Sequence, residues 1–199
     1  MKSKLKKGTF GYLDQLKIRE WKRTLLLLSV PILVFLIGWI VSGTRLTVVT
    51  VVAVVGCLPG CNQMVHALMA SRYHSIDREL YEETERARGD RPVLYENVFT
   101  SYEKNFYVDC AVISGRELAG YSSDEKIDAA AAEKHLKEIL RKNSYKQNVK
   151  IFTSRKAFLE RARFLAAHEP EAVPFREDDR YPGMTREEIV RYLLTAISL

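Results

Sequence analysis

Two apolar runs dominate the hydrophobic pattern of this chain. Residues 24–44 carry no charge, and a helix of about 20 such residues spans a hydrocarbon core of roughly 30 Å. Pro31 lies inside this run, where a membrane helix absorbs a proline as a kink. The second run is strongly apolar only over 46–58, about 20 Å of helix, so a full crossing requires it to continue through Pro59 towards Arg72. The spans are expected at about 24–42 and 46–69. The short link around Gly43 makes them an antiparallel hairpin.

The second run carries Gly56 and Gly60 in a GxxxG pattern, with Ala53, Cys57 and Cys61 at matching small-residue spacing. Small residues let two helix backbones approach closely in lipid. The first partner for this face is the preceding span, and a second copy of the chain is the alternative. Cys57 and Cys61 are expected to be packing residues. Asn62 and His66, one helical turn apart, fall roughly 24 and 30 Å from the Arg45 end, near the far interface. There they are polar interface residues or a contact for a partner helix.

Beyond residue 75 the pattern changes to a small α/β domain over 75–199. Residues 76–88 read as a charged helix capped by Ser75 and ended by Gly89. Residues 93–100 and 105–114 are rich in β-branched and aromatic side chains and predict an antiparallel pair, with a short third strand within 115–121. Ser122 and Glu125 form a capping-box pattern before a helix reaching about Asn143. A strand over 149–153, a helix capped by Ser154, an acidic loop over 170–182 and a final helix with Thr185 and Glu188 as its capping box complete the chain. The predicted fold class is a two-helix transmembrane hairpin followed by a small α/β (α+β) cytoplasmic domain, in the order α-β-β-(β)-α-β-α-α.

Charge fixes the orientation. The net charge is +6, and residues 1–23 hold eight Lys/Arg against two acidic residues, so the whole excess precedes the first span. This basic amphipathic segment stays on the cytoplasmic side, with Trp21 in the headgroup zone. The expectation is a multi-pass cell-membrane protein with both termini cytoplasmic; a re-entrant second segment would invert the domain. A cleaved signal peptide is disfavoured by the length of the first run and the second run behind it.

Within the domain, residues 75–133 carry 7 basic and 14 acidic side chains, and residues 134–163 carry 10 and 2. Such a bipolar charge pairs with itself, with a second copy or with anionic headgroups. The near-neutral total disfavours nucleic acid as a partner. Three cysteines, two of them in the spans, provide no disulfide framework. No phosphate-binding loop, dinucleotide glycine pattern, zinc signature or nucleophile elbow is present, the four histidines show no metal spacing, and no cofactor is expected.

Asp109 interrupts the apolar strand Tyr107-Val-Asp-Cys-Ala-Val112, and Glu117 follows on the next segment. With the helix-strand-strand-strand-helix-strand order, residues 76–153 resemble the restriction-endonuclease-like fold, in particular its nuclease-related NERD domains. The resemblance implies metal-assisted phosphodiester hydrolysis, with Asp109 and Glu117 as metal ligands and Glu82 or Glu83 as an added carboxylate. The lysine of the family's Glu-x-Lys falls on Ala119, so the motif is broken. Apart from the resemblance, Asp109 reads as a residue on a solvated strand face or a partner of Arg116. The chain is thus expected to be a membrane-anchored accessory or interaction protein, in contact with the bilayer and with a second copy or a protein partner. The alternative is a degenerate metal-dependent nuclease at the membrane.

Overall fold

The structure, a computed structural model, describes residues 6–45, 48–101, 104–170 and 180–198. Two long apolar helical segments near the N-terminus precede a small mixed α/β domain with a four-stranded sheet. The chain forms two compact units, residues 13–74 and, as the second, residues 1–12 together with 75–199.

The first unit is a helical hairpin. Helix α1 (Tyr12–Ser42) is 31 residues, about 46 Å, with Pro31 inside it. The amphipathic stretch before residue 24 is therefore continuous with the first apolar run. The return path comprises α2 (Val48–Gly56) and α3 (Leu58–Ser71), separated only by Cys57, which itself has right-handed helical dihedrals. Pro59 sits in the first turn of α3, where its missing N–H costs least. The chain thus passes Pro59 without reversing. The start expected at residue 46 lies outside the described residues.

The hairpin seam is made of small residues. Ala53, Gly60, Ala67 and Ala70 are buried, and a Cβ on Gly60 would come within 2.5 Å of Leu28, one on Gly56 within 3.3 Å of Pro31. On α1 the facing positions Thr24, Leu28, Pro31, Phe35 and Gly38 recur every three or four residues, the spacing of helices packed nearly antiparallel. Near the open end, Trp21 donates its indole N–H to Ser71 at 2.9 Å and Gln63 donates to Glu20. Only 11% of either apolar window is buried, so the outward surface of the hairpin is apolar.

In the second unit, strands β1 (Val93–Thr100), β2 (Asn105–Ser114), β3 (Glu117–Tyr121) and β4 (Asn148–Phe152) lie side by side in that order. The first three are antiparallel, and β4 joins β3 in parallel through helix α5 (Ala129–Lys142). Helices α5 and α7 (Arg186–Ile197) cover one face, with Leu136, Leu140, Ile189 and Leu194 fully buried against Leu94, Phe99, Ile113 and Leu118. Helices α4 (Arg78–Arg88) and α6 (Arg155–Ala167) cover the other, where Leu80, Phe158 and Ala162 meet Tyr95, Cys110 and Val112. The apolar stripe of each helix determines the face it covers.

Ser154 stands at the N-cap of α6 without a side-chain cap bond, and two other N-caps fall on residues other than those expected. The N-cap of α4 is Asp77, and Ser75 donates its hydroxyl to Glu96. Helix α5 starts at Ala129, capped by Asp128, whose side chain accepts from the Ala131 N–H. Ser122 instead donates to the Tyr107 carbonyl at 2.6 Å. In both places a nearer buried acceptor captures the serine. The Thr185–Glu188 capping box forms, and α7 packs on this same domain, with Arg186 donating to the Lys146 carbonyl at 2.8 Å.

One irregularity crosses the centre of the sheet. Leu94 and Phe99 face the same core although five positions separate them, and so do Val108 and Ala111 on the partner strand. The pairing register is unchanged on either side, Tyr95 with Cys110 and Asn97 with Val108, which sets Glu96 opposite Asp109. Glu96 has φ +56°, and at this point both strands turn over and exchange faces. A non-glycine residue in that region costs roughly 1–3 kcal/mol and persists only where its surroundings hold it.

The free edge of β1 is covered by the segment that precedes α1. The Tyr95 N–H donates to the Gly8 carbonyl at 3.1 Å, Phe10 stacks on Tyr81 at 4.6 Å, and Lys7 donates to the Ser198 carbonyl at 2.9 Å. Residues 6–12 are therefore part of the α/β domain and not a free basic arm. Gly8 requires its residue type twice over, through φ +76° and a Cβ position 2.9 Å from Leu94.

Candidate functional site

Two acidic residues, Glu96 and Asp109, lie at the centre of the β1–β2 pair, between the pairs Tyr95–Cys110 and Asn97–Val108, and both are almost wholly buried, Glu96 at 2% exposure and Asp109 at 3%. Buried carboxylates persist only with hydrogen-bond partners. Each carboxylate has its own set. Asp109 accepts from the Ser123 N–H at 2.6 Å and from the Ser123 hydroxyl at 3.0 Å, with the Tyr107 hydroxyl a further donor. Glu96 accepts from the Gly11 N–H at 2.7 Å, the Ser75 hydroxyl at 2.9 Å and the Ile76 N–H at 3.4 Å.

Burial pushes the Asp109 carboxyl above its ordinary value, and the hydrogen bonds from Ser123 and Tyr107 pull it part of the way back. Burial likewise drives the Tyr107 phenol far up, reinforced by the negative charges of Asp109 and Glu96. Tyr107 therefore stays protonated and has its proton to donate to Asp109. The Cys110 thiol, buried beside Thr84, is also pushed up and is held as an inert thiol.

The residues that the nuclease resemblance singles out are not brought together. Asp109 is neither on a solvated face nor paired with Arg116; its donors are Ser123 and Tyr107. Glu117 lies opposite Ser114, five positions along β2 from Asp109, which is about 17 Å at the rise of a strand. Its carboxylate is ion-paired with Arg161. Glu83 is held by Arg155 at 2.9 Å, together with Glu79, and Glu82 is paired with Arg78 and Arg86 on the outside of α4. Ala119, where a catalytic lysine would stand, is buried in the core beneath α6. Among the described residues no three His, Cys, Asp or Glu side chains converge as metal ligands.

Behind the same sheet face, the Tyr95 hydroxyl donates to Glu85 at 2.6 Å, and Glu85 is clamped by Arg88 at 2.7 Å. Burial raises the Glu85 carboxyl, but the bonds from Arg88 and Tyr95 outweigh it and leave the group below its ordinary value. This network joins α4 to β1.

The hairpin candidates separate by face. Ala53 and Gly60 are buried in the seam with α1, Cys57 is half-buried beside them, and Gly56 approaches Pro31 from an exposed position. Cys61, Asn62 and His66 are exposed on the outward side of α3. With Gly56 against Pro31 and Gly60 against Leu28, His66 is level with the charged residues Lys22 and Arg23, and Asn62 lies one turn further along, level with Leu26.

A groove of about 410 Å³ runs along the outer side of α5, lined by Lys134, Lys137 and Arg141 with Glu133 and Glu138. Lys137 and Lys150 share Glu133, whereas Lys134 and Arg141 enter no ion pair among the described residues. The chain matches no protein-family model, no curated protein and no solved structure.

The sequence pointed to Asp109, and to Ser75 only as a helix cap, but not to Glu96, Ser123 and Tyr107, which complete the buried network. Glu96 carried a signal of its own: it is the one charged residue within β1.

The raised value of Asp109 has a definite sign in stability. Its contribution is full below the unfolded value of about 3.9 and is lost as pH rises through the higher folded value. Asp109→Asn removes this titration. The stability of the native chain relative to Asp109→Asn is therefore expected to fall as pH increases through that window and then to level off. Denaturant unfolding of both proteins followed by circular dichroism across the acid range measures this, and a pH-independent difference would contradict it.

Proposed function

We propose that this chain is a membrane-anchored interaction protein, with its hairpin crossing the cell membrane twice and its α/β domain presented to the cytoplasm. The observation that carries this reading is the apolar outward surface of the hairpin, which requires a lipid or protein cover. A second observation supports the topology: the segments immediately before and after the hairpin, residues 6–12 and 75 onward, belong to one domain. A single crossing would leave them on opposite sides of a bilayer. The basic excess ahead of the first span supports the cytoplasm as that side. Asn62 and His66 occupy the interfacial zone in this arrangement. The interaction surface is the basic side of α5, where Lys134, Lys137 and Arg141 offer a row of cations to an acidic protein partner or a second copy.

A membrane-tethered, nuclease-like domain of the restriction-endonuclease-like type is the second reading. The observation favouring it is a buried Asp109 on the second of three antiparallel strands between two helices. The separation of Glu117 from Asp109 weighs against it.

Three outcomes are expected. With Cys57 and Cys61 replaced by alanine, a membrane-impermeant maleimide added to intact cells labels Thr44→Cys but reaches Lys126→Cys only after permeabilisation; the reverse pattern would overturn the topology. The complex isolated in mild detergent loses mass when Lys134, Lys137 and Arg141 are all changed to Glu, and an unchanged mass would remove α5 as the contact. Asp109→Ala leaves divalent-ion binding, measured by calorimetry, unaltered; tight binding abolished by that change would establish the second reading.

A further inference from the structure

Glu96 receives hydrogen bonds from both places where the chain passes between hairpin and domain. Gly11 is the residue before α1, and its N–H donates to one carboxylate oxygen at 2.7 Å. Ser75 and Ile76 follow closely after α3, and they donate to the same carboxylate, through the hydroxyl at 2.9 Å and the N–H at 3.4 Å. One side chain therefore fixes the entry and the exit together.

The entry segment also has a second task. Residues 7–11 form a strap along the outer edge of β1, with the Gly8 carbonyl on the Tyr95 N–H, Phe10 on Tyr81 and Lys7 on the Ser198 carbonyl. Tyr95 is adjacent to Glu96, so strap and carboxylate act on the same point of the strand. There Glu96 keeps φ +56°, a conformation that persists only where the surrounding structure holds it.

We propose that Glu96 is a clasp: it couples the separation of the two hairpin ends to the docking of the strap on the β1 edge. Drawing residues 11 and 75 apart breaks the carboxylate's bonds on one side, loosens the left-handed turn at Glu96 and releases the Gly8–Tyr95 contact. The strand edge that the strap covers then becomes available. A rearrangement of the helices in the membrane is read in the domain as an uncovered sheet edge. This goes beyond the interaction reading above and does not depend on α5 or on the identity of any partner.

The test exploits reciprocity between the two sides, because a coupling free energy acts equally in both directions. Amide hydrogen exchange is measured on the full chain in lipid nanodiscs for the native protein, Ser75→Ala and Phe10→Ala. Ser75→Ala removes a bond on the exit side only, yet the Gly11 and Tyr95 amides are expected to lose about tenfold in protection. Phe10→Ala removes a ring from the strap only, and the Ile76 amide is expected to lose protection by a similar factor. The Val112 amide inside the sheet stays unchanged in both and reports an intact fold. If Ser75→Ala affects only residues near 75, and Phe10→Ala only the strap, Glu96 merely accepts independent bonds and the clasp is overturned. Charge reversal along α5 leaves these exchange rates unaltered, so failure of the clasp and failure of the interaction surface are separable.

Discussion

The chain leaves the α/β domain at Tyr12, runs through two apolar helical segments, and returns to the same domain at Ser75. This closure constrains everything else. Both ends of the hairpin must reach one short stretch of sheet, the N-terminal residues must find a place on the domain, and the β1 edge supplies it. Edge strands are ordinarily a liability, and they are blunted by charges, twists or a covering segment. Here the covering segment is supplied by the residues that lead into α1. The opposite edge is managed differently: the N–H of Ile151 on β4 is taken by the Glu133 side chain, with Lys150 beside it.

The coarse architecture was legible because it depends on periodicities that burial enforces. The two uncharged runs, the β-branched stretches at 93–100 and 105–114, and the Thr185–Glu188 box each declare a local structure that no tertiary contact overrides. Serine caps were less legible. A hydroxyl at Ser75 or Ser122 is as able to donate to a buried oxygen as to accept from a helix N–H, and the folded sheet offered Glu96 and the Tyr107 carbonyl. Reversal of faces at Glu96 and Asp109 was hidden for another reason. Each half of each strand alternates correctly by itself, and the pairing register is the same on both sides, so nothing in the spacing shows that the halves face opposite ways. The strap was hidden by its lysines, which read as a basic arm beside a span, although Gly8-Thr-Phe-Gly11 carries the two positive-φ glycines and the ring that dock it.

The site residues divide along the same line. Asp109 was visible as an acid inside an apolar strand, but its chemistry depends on Ser123, which arrives from beyond β3, and on the tyrosine two positions before it. Glu117 was visible only through a motif, and the distance along the strands separates it from Asp109 while Arg161 neutralises it. Spacing in sequence does not reveal how far along a neighbouring strand a residue will fall, since that depends on the length of the turn between them.

The bipolar charge of the domain resolves into two different physical roles. Arg155 and Arg161, both on α6, reach across to Glu79 and Glu83 of α4 and to Glu117 of β3, so that side of the basic segment is consumed in joining a helical layer to its neighbours. Ion pairs of this partly exposed kind contribute little each, about 0–1 kcal/mol, and their value lies in fixing which elements adjoin. Among the described residues, Lys134 and Arg141 of α5 enter no ion pair. Glu133 serves Lys137 and Lys150 and also caps the β4 edge, and one carboxylate so engaged cannot neutralise Lys134 and Arg141 as well. Among the described residues, positive charge therefore remains on the α5 side, with Glu138 the other carboxylate beside it. That remaining charge, more than the composition of the chain, is the feature on which the proposed interaction surface at α5 rests.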